Sequence, residues 1–155
     1  MASRARPAEL IEFERADLSM VVEEMRSLTE RPDGWINIEP TIRDDVDLTP
    51  RSPLAAFLAN RGPVLPFATW IPGPVATLGI EHSTGPKVAA RLADNGVVIP
   101  NAWPIKQDHP RRGLVVELPD ELTPEAVLEL VLDAGTALVE LPIDTIWSAV
   151  IHRRR

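Results

Sequence analysis

The sequence contains no cysteine and no tyrosine, and only two of its basic residues, Lys87 and Lys106, are lysines. Without thiols the chain cannot form a disulfide, supply a thiolate nucleophile or hold zinc through cysteine, which excludes thiol enzymes and zinc fingers. The absence of tyrosine, with four tryptophans and three phenylalanines, also argues against an aromatic surface that stacks on nucleic-acid bases.

Long apolar runs and excess positive charge are missing as well. No segment approaches the roughly 18 apolar residues of a membrane span, and residues 1–15 lack the apolar centre of a signal peptide. The formal net charge is −7 at pH 7, which opposes binding to a phosphate backbone. We therefore expect a cytoplasmic protein that binds neither nucleic acid nor membranes.

The length of 155 residues is that of a single domain, which can bury a sizeable core without disulfides. We expect residues 1–7 to form a loose N-terminal arm, residues 8–152 the domain, and residues 153–155 a basic C-terminal tail. His152, which precedes the terminal arginines, is interpreted as a solvated residue of that tail.

The segment 113–140 carries the clearest structural pattern. Residues 114–118 predict an inner strand, because they are apolar, β-branched in the middle and followed by a turn-favouring Pro-Asp pair. A long helix should follow, with Thr123 as its N-cap and Pro124 at its first position. One polar stripe recurs along it at the helical period, so the core should contain Val127, Leu128, Leu130, Val131, Ala134, Leu138 and Val139.

Gly135 leaves two interpretations of the end of this helix. Either the helix continues and the glycine lets a neighbour approach closely, or the helix ends there and residues 136–141 form a strand. The polar stripe continues in phase across Gly135, which favours the continuous helix.

The first half of the chain has weaker patterns. Residues 10–15 predict an edge strand or the first turn of a helix, and Asp17 is a candidate cap for an amphipathic helix. Residues 35–39 alternate as a strand does. The acidic residues within 41–51 lack the spacing of an EF-hand, which favours a solvated loop, and Ser52 is a candidate cap for a short helix.

Residues 67–71 and 75–80 predict a β-hairpin, because two β-like runs flank a turn pair. Pro72 and Gly73 are expected at the centre of a type II turn, with Gly73 at positive φ.

A helix after Pro86, a strand at 97–99 and an irregular loop at 100–112 are expected next. Residues 145–151 predict a last strand from their β-branched and aromatic composition, or a terminal helix if Asp144 is its cap. Together these elements predict a single α+β domain, with a mainly antiparallel sheet and helices packed on one face.

The loop from Gly79 to Lys87 has the composition of a phosphate-binding loop but not the spacing of a Walker A motif. The pattern predicts a strand, a turn through Ser83 and Thr84, and a helix N-terminus, whose free N–H groups favour anions. The simpler interpretation is that Ser83 or Thr84 caps the helix.

Two histidines follow carboxylates in these loops: Glu81 precedes His82, and Asp108 precedes His109. These four side chains are donors that a metal ion accepts. They would also suit acid–base catalysis, with Ser83 as nucleophile. The chain has no HExxH and no GxSxG motif, so nothing in the spacing requires the two pairs to converge.

If the loops before residues 86 and 113 leave the sheet at the same edge, they bring basic side chains to His82. On a chain of net charge −7, this would form a local anion site unless carboxylates offset it. The candidate ligand-binding residues are His82, Ser83, Thr84, Lys87, Lys106, His109, Arg111 and Arg112.

Two classes of function are compatible with these observations. The first is a non-catalytic module that binds a protein partner or a small, anionic ligand; Trp70 and Trp103 are its candidate interface anchors, and a homo-oligomer fits equally. The second is a small metal-dependent or phosphoester hydrolase that uses the His82 and His109 loops. The sequence identifies no cofactor.

Overall fold

The computed structural model describes residues 8–43 and 65–154. The predicted arm at 1–7, most of the acidic loop and the short helix after Ser52 lie outside the described residues. The elements, in chain order, are β1 (Glu9–Glu14), α1 (Ser19–Glu30), β2 (Gly34–Ile42), β3 (Phe67–Ile71), β4 (Thr77–Glu81), α2 (Val88–Asp94), β5 (Ile105–His109), β6 (Gly113–Glu117), α3 (Pro124–Leu138) and β7 (Ile143–Arg153).

The described strands form one 7-stranded sheet in the order β1-β7-β2-β3-β4-β6-β5, and every neighbouring pair is antiparallel. Side chains alternate across it: Ile36 and Ile38 on β2 are buried, whereas Trp35 and Asn37 are half-buried. The helices pack on the buried face, and one hydrophobic core lies between the two layers. The predicted α+β domain is therefore confirmed. None of the described helices has the length and apolar character that a membrane crossing requires.

The strand and helix predicted within 113–140 are confirmed. β6 lies inside the sheet between β4 and β5. At the start of α3, Thr123 accepts a hydrogen bond from the N–H of Ala126 (3.2 Å), and Pro124 occupies the first position. Val131 is buried as predicted, whereas Leu130 and Val139 are only half-buried.

Gly135 lies inside a continuous α3, as the unbroken polar stripe indicates. A Cβ at this position would lie 2.7 Å from a ring carbon of Trp147, so the glycine is needed for the contact between α3 and β7. The strand interpretation of residues 145–151 is confirmed, and the alternative of a terminal helix is wrong.

The hairpin of β3 and β4 is confirmed, but the type II turn is wrong. The strands are connected by the loop 72–76, and the φ of Gly73 is 157°, far from the roughly +80° that a type II turn requires. The longer loop is fixed from outside the hairpin, because the carbonyl of Ala76 accepts a hydrogen bond from the N–H of Leu118 (2.9 Å).

The strand predicted at 97–99 is wrong. Val97 donates to the carbonyl of Leu92 (2.8 Å), which closes the end of α2 and leaves these residues without a strand partner. The strand lies instead within the expected irregular loop, as β5, which pairs with β6 at one edge of the sheet. Its sequence, IKQDH, is polar because an edge strand is exposed, so an apolar pattern does not reveal it.

At the N-terminal end of the described chain, β1 is the other edge strand. The edge-strand interpretation of residues 10–15 is therefore confirmed, and the helical interpretation is wrong. The helix α1 begins at Ser19 with Leu18 as its N-cap. Asp17 still accepts hydrogen bonds from the N–H (3.1 Å) and the hydroxyl (2.6 Å) of Ser19, and these bonds lower the pKa of its carboxyl group.

At the C-terminal end, β7 continues through Arg153, which is the first residue of the predicted C-terminal tail. Arg153 forms ion pairs with Glu24 (2.5 Å) and Asp33 (3.5 Å). The ring of His152 stacks on Trp35, with centroids 4.8 Å apart and planes at 12°. The interpretation of His152 as a solvated tail residue is wrong, because it belongs to a central strand.

Candidate functional site

Among the described residues, only His82 and Ser83 are both polar and buried, with 1% and 5% exposure. They lie where the chain leaves β4 and turns toward α2. Buried polar side chains are stable only when they have partners, so their surroundings determine what they can do.

The imidazole of His82 is held in one tautomer. Its Nδ1 accepts a hydrogen bond from the backbone N–H of Thr84 (3.3 Å), and the Thr84 hydroxyl lies 3.0 Å away, so the proton of the neutral ring lies on Nε2. This Nε2 is buried and has no hydrogen-bond partner among the described residues. Burial lowers the pKa of His82, with Arg91 acting in the same direction and Asp108 opposing both. The ring is therefore neutral at pH 7.

Ser83 is not paired with a histidine. Its hydroxyl donates to Oε2 of Glu140 (3.2 Å), while the Nδ1 of His82 is engaged by Thr84. The Arg91 guanidinium donates to the carbonyl of Thr84, which fixes the loop to α2. These hydrogen bonds hold the loop in shape, and they do not form the serine–histidine pair that activates a nucleophile.

Asp108 joins β5 to the start of α2. Its carboxylate, on β5, accepts hydrogen bonds from the N–H groups of Val88 (3.1 Å) and Ala89 (3.2 Å) at the start of α2. The first N–H groups of α2 are thus capped by Asp108 from β5, and not by Ser83 or Thr84 as the simpler interpretation expected. Lys87 precedes the helix with φ 58°, the one positive φ among the described non-glycine residues, a strained conformation for such a residue.

Of the basic candidates, Lys106 has a partner for its charge, and His109 is held by backbone N–H groups of its own turn. Lys106 forms an ion pair with Glu117 (3.0 Å), and Nδ1 of His109 accepts hydrogen bonds from the N–H groups of Arg111 (3.1 Å) and Arg112 (3.2 Å) in the turn before β6. None of these basic residues forms a hydrogen bond or ion pair with the loop after β4 in the described part of the chain. The anion-binding pocket therefore stays a prediction.

The predicted metal set also stays a prediction. Its members are Glu81, His82, Asp108 and His109, and Asp108 is engaged by α2 as described above. In residues 8–43 and 65–154, no three His, Cys, Asp or Glu side chains lie close enough together to hold a metal ion.

A cavity of about 670 Å³ lies at the opposite end of β3 and β4 from His82. It is bounded by the C-terminal half of α1, the β3–β4 loop and the segment that connects β6 to α3. Ligand pockets commonly have volumes of about 300–1,000 Å³ and apolar walls. The apolar side chains that line the cavity are Met25, Trp70, Pro72, Pro74, Ala76, Leu118, Pro119, Leu122, Pro124 and Val127.

Charged side chains line the same cavity. Glu30, Asp120 and Glu121 are exposed carboxylates that form no ion pair with the described residues. Arg26 also lines the cavity, but it is paired with Glu125 on α3 (2.8 Å). The free charges around the cavity are therefore negative.

The sequence did not reveal this cavity, because its walls come from segments that are far apart in the chain. The available signal was Trp70, a candidate interface anchor; it is buried and forms part of the lining. Trp103, the other candidate, is half-buried and packs against the core.

Comparisons with protein-family models, with curated proteins and with solved structures found no match for this chain. Its function must therefore be inferred from its own geometry.

Proposed function

We propose that this protein is a non-catalytic binding module whose ligand occupies the cavity between α1, the β3–β4 loop and the start of α3. The observation that carries the proposal is an apolar cavity of about 670 Å³ with a charged rim. Moving an apolar ligand from water to such walls is favourable by about 25 cal/mol per Å² of apolar surface removed from water.

Prolines restrict the backbone of the cavity walls. Four of the lining residues are prolines, Pro72, Pro74, Pro119 and Pro124, and a proline ring fixes its own φ. A preformed wall loses little conformational entropy when a ligand enters, so more of the contact energy contributes to affinity.

The polar lining supports binding rather than catalysis. No His, Cys or Ser is among the described lining residues, and both threonines have structural hydrogen bonds. Thr29 donates to the carbonyl of Met25 (2.9 Å), and Thr123 accepts from the N–H of Ala126 (3.2 Å). The lining thus contains neither a nucleophile with a base beside it nor an imidazole.

The proposal is tested with Nile red, a neutral apolar dye whose emission rises in apolar sites. Ala76→Phe fills the cavity, and Val75→Phe adds the same ring to a neighbour that is 55% exposed and outside the lining. We expect dye emission to rise with the wild type and Val75→Phe and to be lost with Ala76→Phe, while thermal unfolding shows that both variants are folded. Emission that survives Ala76→Phe, or no emission with the wild type, would reject the proposal.

A further inference from the structure

We infer that the ligand is a basic, partly apolar peptide segment of a partner protein. This inference rests on the proposed function, since it identifies the class of ligand for the same cavity. It is carried by the negative charge of the rim, by the origin of that charge in two separate segments and by the apolar lining of the same cavity.

The sign of the rim follows from counting its charges. Arg26 and Glu125 neutralise each other, whereas the carboxylates of Glu30, Asp120 and Glu121 are free of ion pairs among the described residues. The N-terminus of α3 adds only about half a positive charge. Three full negative charges outweigh it, so the cavity favours a cation.

The distribution of the carboxylates favours a chain with several cations over a small molecule with one. Glu30 lies near the end of α1, whereas Asp120 and Glu121 lie in the turn before α3. A ligand with one ammonium group would leave at least two of these three carboxylates without a counter-charge. A peptide with basic residues on either side of an apolar one can supply a cation to both segments and place its apolar side chain against the apolar lining of the cavity.

A ligand can replace one partner of the ion pair between Arg26 and Glu125. Arg26 and Glu125 are 63% and 47% exposed at their side chains, and exposed ion pairs contribute little to stability. A basic side chain of the ligand can therefore replace Arg26 at Glu125 with little loss of stability.

The test measures binding of the labelled peptide KLPKLPK by fluorescence anisotropy at low ionic strength, with ELPELPE as its charge-inverted counterpart. We expect only the basic peptide to bind. The double variant Asp120→Asn/Glu121→Gln should weaken binding about tenfold, since it removes two of the three carboxylates on which the basic peptide depends. The matched double variant Glu9→Gln/Glu12→Gln removes the same charge from β1 and should leave the affinity unchanged.

The outcomes separate this inference from the proposed function. If Nile red binds in the cavity but the two peptides bind equally, or if both double variants weaken binding alike, the basic-peptide inference is overturned and the cavity remains a binding site. If octylamine displaces the dye at the same concentration as KLPKLPK, the ligand class is a small amine and the inference is also overturned. If Nile red does not bind in the cavity, the proposed function itself fails.

Discussion

His82 shows how one residue can oppose the stability of the fold that surrounds it. A buried donor without an acceptor costs about 1–3 kcal/mol, and the Nε2 of His82 is such a donor. Burial also opposes protonation of the ring, so the native state holds the imidazole in its neutral form. The residue therefore links stability to pH.

We expect the free energy of unfolding to fall when the pH drops below about 6.5, the ordinary pKa of histidine in the unfolded chain. The folded-state pKa of His82 is lowered, so the unfolded chain takes up a proton that the native ring does not. The contribution of His82 to stability is fully present above the pKa of histidine in the unfolded chain. It decreases on acidification by at most about 1.4 kcal/mol per pH unit. Urea unfolding at about pH 5.5, 6.5 and 7.5 measures it.

Two variants test whether His82 causes this pH dependence of the free energy of unfolding. In His82→Asn the amide oxygen can accept the N–H of Thr84 in place of Nδ1, and the pH dependence should become shallower. His109→Asn makes the same change at a half-buried histidine of the edge strand β5 and serves as the control. Equal slopes in both variants would show that His82 is not the group responsible.

Among the elements, α3 and β7 depend on each other through Gly135 and Trp147. Intrinsic helix propensity favours Ala over Gly by about 1 kcal/mol. Here the preference is reversed by packing, because a Cβ would meet the Trp147 ring at 2.7 Å and the ring is buried at 5% exposure. Whether Gly135→Ala raises or lowers the free energy of unfolding therefore tests the contact between α3 and β7.

Gly135→Ala should lower the free energy of unfolding by on the order of 1 kcal/mol, since overpacking a core costs about 1–3 kcal/mol and the propensity gain offsets part of it. In a Trp147→Leu background the same substitution should raise stability by up to about 1 kcal/mol. Denaturant unfolding of the four proteins of this cycle measures both values. Stabilisation by Gly135→Ala in the wild-type background would contradict the close approach.

At the scale of the whole molecule, the described residues form one sheet with helices on one face, and its two edge strands are β1 and β5. Exposed edges invite pairing between molecules, and charged side chains oppose it. On β1, the exposed Leu10 (61%) is flanked by Glu9 and Glu12. These carboxylates repel the same edge of a second copy.

Glu12→Val should therefore increase self-association, because it removes a charge and extends the apolar surface beside Leu10. Sedimentation velocity at increasing protein concentration measures the effect. Glu23→Val makes the same change at an exposed position of α1, outside the strands, and should leave the sedimentation profile as in the wild type. Equal association of the two variants would mean that the edge has no special role.

The sequence by itself determined the elements whose signals are local. The cap at Thr123, the proline after it and the polar stripe define α3 because helix formation depends on residues within one or two turns. The apolar runs of β6, β7 and the β3–β4 hairpin were identifiable for the same reason. Together with the composition, they were sufficient for the α+β class.

Only the tertiary structure decided what depends on partners distant in the chain. β5 is polar and becomes a strand because β6 lies beside it, and His152 is held by Trp35 from another strand. Asp108 caps α2 across the sheet edge, and the cavity exists because α1, a hairpin loop and the start of α3 meet. Each of these depends on pairing or packing of separate segments, and local propensity contains no information about which segments will meet.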